Sequence, residues 1–137
     1  MAVDIDAPDV GTEDEVILGV DYNIDRIFDL EDATKVKVQG KDIVAIGKDL
    51  VDYDALDTGM FLCGPALFKR LESAKKDGNC SLSDGMSQLA QERKLKAFDV
   101  GDGHWQDVDT PEAFVYTQSI FERDFLESPI LQRFANV

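Results

Sequence analysis

Cysteine is scarce in this chain of 137 residues: there are two, Cys63 and Cys80, and no CxxC pair. That excludes a disulfide framework and leaves two buried or half-buried thiols, as in a reducing, cytoplasmic setting. Positive charge is also short. Lys and Arg number 14 against 28 Asp and Glu, a formal net charge of −14. With no basic stripe to neutralise phosphates, nucleic acid is excluded as a partner, and so is an anionic membrane surface. No apolar run approaches the about 18 residues that a membrane span requires. The opening Met1-Ala2-Val3-Asp4-Ile5-Asp6 lacks the basic and apolar regions of a signal peptide.

Several ligand-binding patterns are missing too. No GxxxxGK[ST] string or other glycine-rich phosphate cradle occurs, and Gly101-Asp102-Gly103 lacks the third glycine of a dinucleotide fingerprint. The oxygen-bearing residues between Asp99 and Asp107 fall at the wrong offsets for a calcium loop. There are no internal repeats. What remains is an ordinary globular composition, 44% hydrophobic and 31% charged, long enough for one domain with its own core. The acidic excess suits solubility or a salty cytoplasm.

Residues 1–15 are polar and acidic and read as a loose arm. Val16-Ile17-Leu18-Gly19-Val20, ending in Asp21, has the continuous apolar character of a buried strand. Thr34-Lys35-Val36-Lys37-Val38 alternates with period two, Gln39-Gly40-Lys41-Asp42 turns, and Ile43-Val44-Ala45-Ile46 returns, which predicts a hairpin. Asp57 to Leu62 forms another strand. Pro65 opens a helix to Lys76, with Leu67, Phe68, Leu71 and Ala74 on its apolar face and Asp77-Gly78-Asn79 as its stop. A second helix spans 82–93, with Leu82, Met86 and Leu89 on one side. A strand covers 95–100. A third helix follows Pro111 and buries Ala113, Phe114, Thr117, Ile120, Phe121 and Phe125. Residues 16–126 form the domain, and 127–137, beyond the break at Pro129, the tail. The order predicts an α/β fold with a mixed sheet. Ligands in such sheets sit at the carboxyl ends of strands.

Asp107 and Asp109 are two apart. On an extended segment their carboxylates share one side and could hold a divalent cation; Mg²⁺ takes carboxylates, phosphate oxygens and water. The plainer role is structural, with Asp109 or Thr110 capping the helix that Pro111 opens. Asp4/Asp6 and Asp52/Asp54 repeat the Asp-x-Asp spacing without such a context. Lys48, after Ile46-Gly47 at a strand end, is either a phosphate contact or a solvated surface lysine. Gly59, in Asp57-Thr58-Gly59, either lets a ligand approach the backbone or serves a bulge. Ser81 or Ser83 caps the second helix, and Asp84 either belongs to that cap or binds a ligand hydroxyl. His104 is the only histidine and has no neighbouring histidine or cysteine to make a metal or triad site.

In order and spacing, five segments resemble the second half of sugar-phosphate nucleotidyltransferase-like domains. They are Asp32-Ala33-Thr34-Lys35-Val36, Ile46-Gly47-Lys48, Asp57-Thr58-Gly59-Met60-Phe61, Leu82-Ser83-Asp84-Gly85 and Trp105-Gln106-Asp107-Val108-Asp109-Thr110-Pro111. The nearest branch is the CTP:inositol-1-phosphate cytidylyltransferase domain, and the resemblance runs over residues 14–122. It implies a Rossmann-like three-layer nucleotidyltransferase fold, truncated to its C-terminal half, with a mixed sheet and a β-hairpin. It implies attack by a sugar or polyol phosphate on a nucleoside triphosphate, with release of pyrophosphate. By position, Asp109 assisted by Asp107 would bind Mg²⁺, Lys48 would hold the acceptor phosphate, Asp57 and Gly59 would line the acceptor pocket, and Asp84 would lie near the acceptor.

The family's glycine-rich nucleotide loop, a lysine and a further metal-binding aspartate have no counterpart in this reading. Nucleotide is therefore expected only with the missing half, supplied as a complementing N-terminal fragment. A lone half is expected to expose sheet edge and apolar surface, which a homodimer could cover. The alternative is a non-catalytic polyol-phosphate-binding or oligomerisation module.

Overall fold

The computed structural model describes residues 14–76, 78 and 81–126. Most of the predicted arm, the tail, Asp4/Asp6, Cys80, Asp77 and Asn79, and the side chains of Ala74 and Phe125 lie outside the described residues. Among the described residues there are five strands: β1 Val16–Asp21, β2 Lys35–Gln39, β3 Asp42–Gly47, β4 Ala55–Cys63 and β5 Leu95–Asp99. The helices are α1 Pro65–Lys76, α2 Leu82–Gln91 and α3 Pro111–Phe121, the last running into one π-helical turn at Glu122–Leu126. Described residues up to Gly103, apart from Ile27–Asp29, form one compact unit; Ile27–Asp29 and the described residues from His104 onward form a second.

In the first unit the sheet is mixed, as the sequence predicts. β1 runs parallel to β5 and antiparallel to β4, β4 pairs β2, and β2 pairs β3 through the predicted hairpin. Gly40 takes the positive φ of 63° that the hairpin turn demands.

The sheet departs in one respect from the plain Rossmann-like sheet that the sequence implies. β3 meets β5 at Asp42↔Lys96, so the strands close into a barrel in the order β1-β4-β2-β3-β5. The Lys96 ammonium pairs with the Asp42 carboxylate at this seam, and Ala97 N–H donates to the Lys41 carbonyl at 2.8 Å. The strands curl far enough for the hairpin to reach β5, and this single contact closes the ring while leaving the far end of β4 unpaired on one side.

Val16, Leu18 and Val20 alternate on β1 and join Val36, Ile43, Ala55, Leu67, Met86, Leu89, Ala90 and Leu95 in one core cluster. α2 packs on β3 and α1. A Cβ on Gly85 would meet Leu71 Cδ2 at 2.8 Å, so the absence of a side chain there sets how close the two helices come.

Three burial expectations fail for geometric reasons. Phe68 is exposed, because it lies about 100° around α1 from Leu67 while Leu71 returns to the same side. Leu82 is exposed, since the packed residues of α2 begin only at Gly85. Cys63 is exposed as well. Of β4, β2 pairs only Ala55 and Leu56, so among the strands the far end of β4, including Met60, Leu62 and Cys63, is flanked by β1 alone.

In the second unit Thr110 caps α3 and Pro111 opens it. Ala113 is buried and Thr117 and Ile120 are half-buried along one line, whereas Phe114 and Phe121 are exposed. Both phenylalanines sit about 90° around the helix from that line, which corrects the broader predicted stripe. Phe28 stacks on Tyr116 with ring centroids 4.7 Å apart, fixing the Ile27–Asp29 segment to α3.

Candidate functional site

Strand register gathers several of the candidates in the first unit. Asp21 of β1 pairs with Leu56 of β4, Leu56 pairs with Lys35 of β2, and Lys35 pairs with Gly47 of β3. This row brings Asp57, next to Leu56, and Lys48, next to Gly47, close in register, where β1 ends and β2 begins. The parallel strands β1 and β5 end beside this row, with Val20 opposite Asp99. Carboxyl ends of parallel strands are where α/β sheets hold ligands.

Lys48 is exposed, and its Nζ lies 2.6 Å from Asp32 Oδ1. The hydrogen bond and the charge of Lys48 hold the Asp32 carboxyl below its usual range, with a further small contribution from the Lys35 ammonium. Lys35 itself is buried and its Nζ donates to the Glu31 carbonyl at 2.9 Å.

Thr58, Gly59 and Met60, which follow Asp57, form a bulge. The register passes from Leu18↔Phe61 to Val20↔Asp57, so Gly19 alone faces the extra residues of β4. Gly59 has φ of 75° and no atom near an added Cβ, so a backbone turn, not crowding, selects glycine there. Its N–H donates to Asp57 Oδ1 at 2.7 Å, which couples the two candidates directly. Thr58, buried, donates from Oγ1 to the Gly19 carbonyl at 2.7 Å.

Asp84 has a capping role. Ser81 is the N-cap of α2; its Oγ accepts from the Asp84 N–H at 3.1 Å and also hydrogen-bonds the Asp84 carboxylate. Asp52 and Asp54 have a structural role too: Lys37 Nζ reaches them at 2.9 and 3.4 Å, and Val38 N–H donates to Asp54 Oδ2 at 2.9 Å. That backbone bond, with Lys37, lowers the Asp54 pKa despite partial desolvation.

Asp21 was not among the sequence candidates. It is a buried carboxylate at the end of β1, and its Oδ1 accepts from the backbone N–H of Asn23 at 2.8 Å and from its side-chain amide at 3.1 Å. The same amide donates to the Gly101 carbonyl beyond β5, tying the two parallel strand ends together. The signal was present in the sequence as an apolar run ended by a lone acid. Lys35 was also missed as a candidate in its own right, because a lysine on an alternating strand reads as solvent-facing.

In the second unit Asp107 and Asp109 are both exposed. Thr110 Oγ1 accepts from Ala113 N–H at 3.0 Å, so the cap falls to Thr110 and does not use the Asp109 carboxylate. Two carboxylates not consumed by the helix start are a donor set compatible with Mg²⁺. Among the described residues no group of three or more His, Cys, Asp or Glu is arranged to hold a metal ion. His104 Nε2 lies 3.7 Å from Asp124 Oδ2, and Arg123 holds the Asp124 carboxyl below its usual range. No described helix is long and apolar enough to cross a membrane.

No family model matches the chain. Among curated proteins it is similar to bifunctional IPC transferase and DIPP synthase. The Rubrobacter xylanophilus protein is 38% identical over 82 residues, 59% of this chain and 19% of that protein. The Thermococcus kodakarensis protein is 37% identical over 87 residues, 64% of this chain and 20% of that protein. The Aquifex aeolicus protein is 35% identical over 102 residues, 72% of this chain and 23% of that protein. The chain thus spans about a fifth of the length of these relatives.

Among solved structures it is similar to the inositol-1-phosphate CTP transferase from T. maritima. The TM-score is 0.62 and the identity 30%, covering 82% of this chain and 48% of that one. A Bacillus anthracis protein named for glucose-1-phosphate thymidylyltransferase, solved with a sucrose, has a TM-score of 0.64 and 16% identity. It covers 82% of this chain and 45% of that chain, and shows the shared fold alone.

Proposed function

We propose that this chain, which resembles part of a CTP:inositol-1-phosphate cytidylyltransferase domain, is the acceptor- and metal-binding portion of a nucleotidyltransferase. A phosphate oxygen of a sugar or polyol phosphate, here an inositol-1-phosphate-like acceptor, attacks the α-phosphorus of CTP. The bond from that phosphorus to the bridging oxygen breaks, and pyrophosphate leaves. Such a reaction asks the protein chiefly to position phosphates and offset their charge.

On this reading Lys48 meets the acceptor phosphate as a point charge. Asp57 and Gly59 line the acceptor pocket, with Asp57 orienting the Gly59 amide that it already binds. Asp84 contacts the acceptor from the first turn of α2. Asp109, assisted by Asp107, holds Mg²⁺, whose charge offsets that of the phosphates when it is bound. The observation that supports the reading most is the register row Asp21–Leu56–Lys35–Gly47, because Lys48 and Asp57 follow it directly in sequence, beside the ends of two parallel strands.

One observation favours a second reading. The 137 residues contain no glycine-rich phosphate cradle, so nucleotide must be held by polypeptide outside them. Without that polypeptide the chain is a non-catalytic module that binds a polyol phosphate.

The test is pyrophosphate release from CTP and inositol-1-phosphate, with the chain alone and mixed with the part of the T. maritima transferase outside the matched region. Release is expected in the mixture, dependent on Mg²⁺ and lost in Lys48→Gln. A silent mixture rejects the enzyme reading. Calorimetric binding of inositol-1-phosphate without release leaves the module reading.

A further inference from the structure

The segment before β2 places a carboxylate on the lysine assigned to the acceptor phosphate. Lys35 stands opposite Gly47 in the hairpin register, so its stem is fixed at the base of Lys48. Its buried ammonium donates to the Glu31 carbonyl at 2.9 Å and pins the residue just before Asp32. Asp32 then reaches Lys48 Nζ at 2.6 Å, with both side chains more than half exposed to solvent. No side chain at Gly47 fills the space beside this pair, and an added Cβ there would meet nothing within 4 Å.

Resting on the reading of Lys48 above, we propose that Asp32 is an internal competitor for the acceptor's phosphate: it occupies the Lys48 ammonium in the ligand-free chain and is displaced when a phosphomonoester binds. Lys35 is a positioning residue that presents Asp32 through Glu31. A carboxylate carries one negative charge, whereas a phosphomonoester near neutral pH carries between one and two and offers three oxygens. The phosphate therefore outbids the carboxylate for the ammonium, while chloride or a lone carboxylate in solution gains little over the partner already in place. Exposed pairs of this kind are weak, so the competition is mild. Removing the competitor should tighten phosphate binding about two- to fivefold, the range that a weak exposed pair allows.

The test is calorimetric titration of the full chain with inorganic phosphate, comparing wild type, Asp32→Asn, Lys48→Gln, the double variant and Asp49→Asn. Asp49→Asn removes one exposed negative charge next to Lys48 without touching the pair. The expected result is tighter binding in Asp32→Asn only, with the gain lost when Lys48→Gln is added. If Lys48→Gln weakens binding but Asp32→Asn does not tighten it, the competitor role is rejected and the role of Lys48 stands. If Asp49→Asn tightens binding equally, the effect is general charge and the inference fails. If Lys48→Gln leaves binding unchanged, the reading of Lys48 itself is overturned. Failure of Asp32→Asn to bind at millimolar phosphate also overturns the proposal.

Discussion

Thr58 Oγ1 donates to the Gly19 carbonyl at 2.7 Å, across the bulge where β4 carries extra residues against β1. The bond binds together the strand that ends in Asp21 and the strand that carries Asp57 and Gly59. A Cβ on Gly19 would come within 3.0 Å of the same Thr58 oxygen, so both positions are fixed by one contact.

Thr58→Val keeps the shape and removes the donor. The buried Gly19 carbonyl loses its partner, which should cost about 1–3 kcal/mol in urea unfolding. Thr58→Ser should lose less, because it keeps the hydroxyl. Equal losses in the two variants would mean that packing, not the hydrogen bond, holds the bulge.

Thr110 and Asp109 should separate helix capping from cation binding. Thr110→Ala removes the bond to Ala113 N–H and should lower stability by about 1 kcal/mol, typical of a lost N-cap. Asp109→Asn should leave stability nearly unchanged and abolish the Mg²⁺-dependent release of pyrophosphate in the complemented mixture. Unfolding curves and a Mg²⁺ titration check the two halves of this expectation.

The Asp54 carboxyl has its pKa lowered in the folded chain by the Val38 N–H and by Lys37. A group depressed on folding stabilises the native state above its unfolded pKa and loses that effect as pH falls through the lower folded value. Stability from this group should thus be level from pH 8 to about 5, and fall below about pH 4, near the unperturbed carboxyl value. Urea midpoints measured against pH should show a shallower acid decline in Asp54→Asn. An unchanged slope would reject the assignment.

Ser81→Ala should cost about 1 kcal/mol, because it removes the cap of α2. If Asp84 also contacts the acceptor, Asp84→Ala should weaken inositol-1-phosphate binding by more than Ser81→Ala does, measured by calorimetry. Equal effects would leave Asp84 with its capping role alone.

Local pattern carried most of the secondary structure. The period-two alternation of 34–38 and the glycine turn announce the hairpin, and Pro65 and Pro111 mark the starts of α1 and α3. What stayed hidden was non-local. Closure of the barrel depends on Asp42 meeting Lys96, residues 54 apart in sequence, and no periodicity within either strand reports it. The same holds for Lys35, which is polar on an alternating strand and looks solvent-facing until the neighbouring strands are in place. Lys48 was legible as a strand-end lysine, but the carboxylate that occupies it was not.

The ring of strands is fastened between β3 and β5 at a single residue pair, while β1 grips both of its neighbours along nearly its whole length. The circle therefore has a latch. Thermal fluctuations should spring it there first, swinging the hairpin outward while the parallel ribbon stays shut, so the amide of Ala97 should trade its proton for solvent deuterium ahead of those in β1.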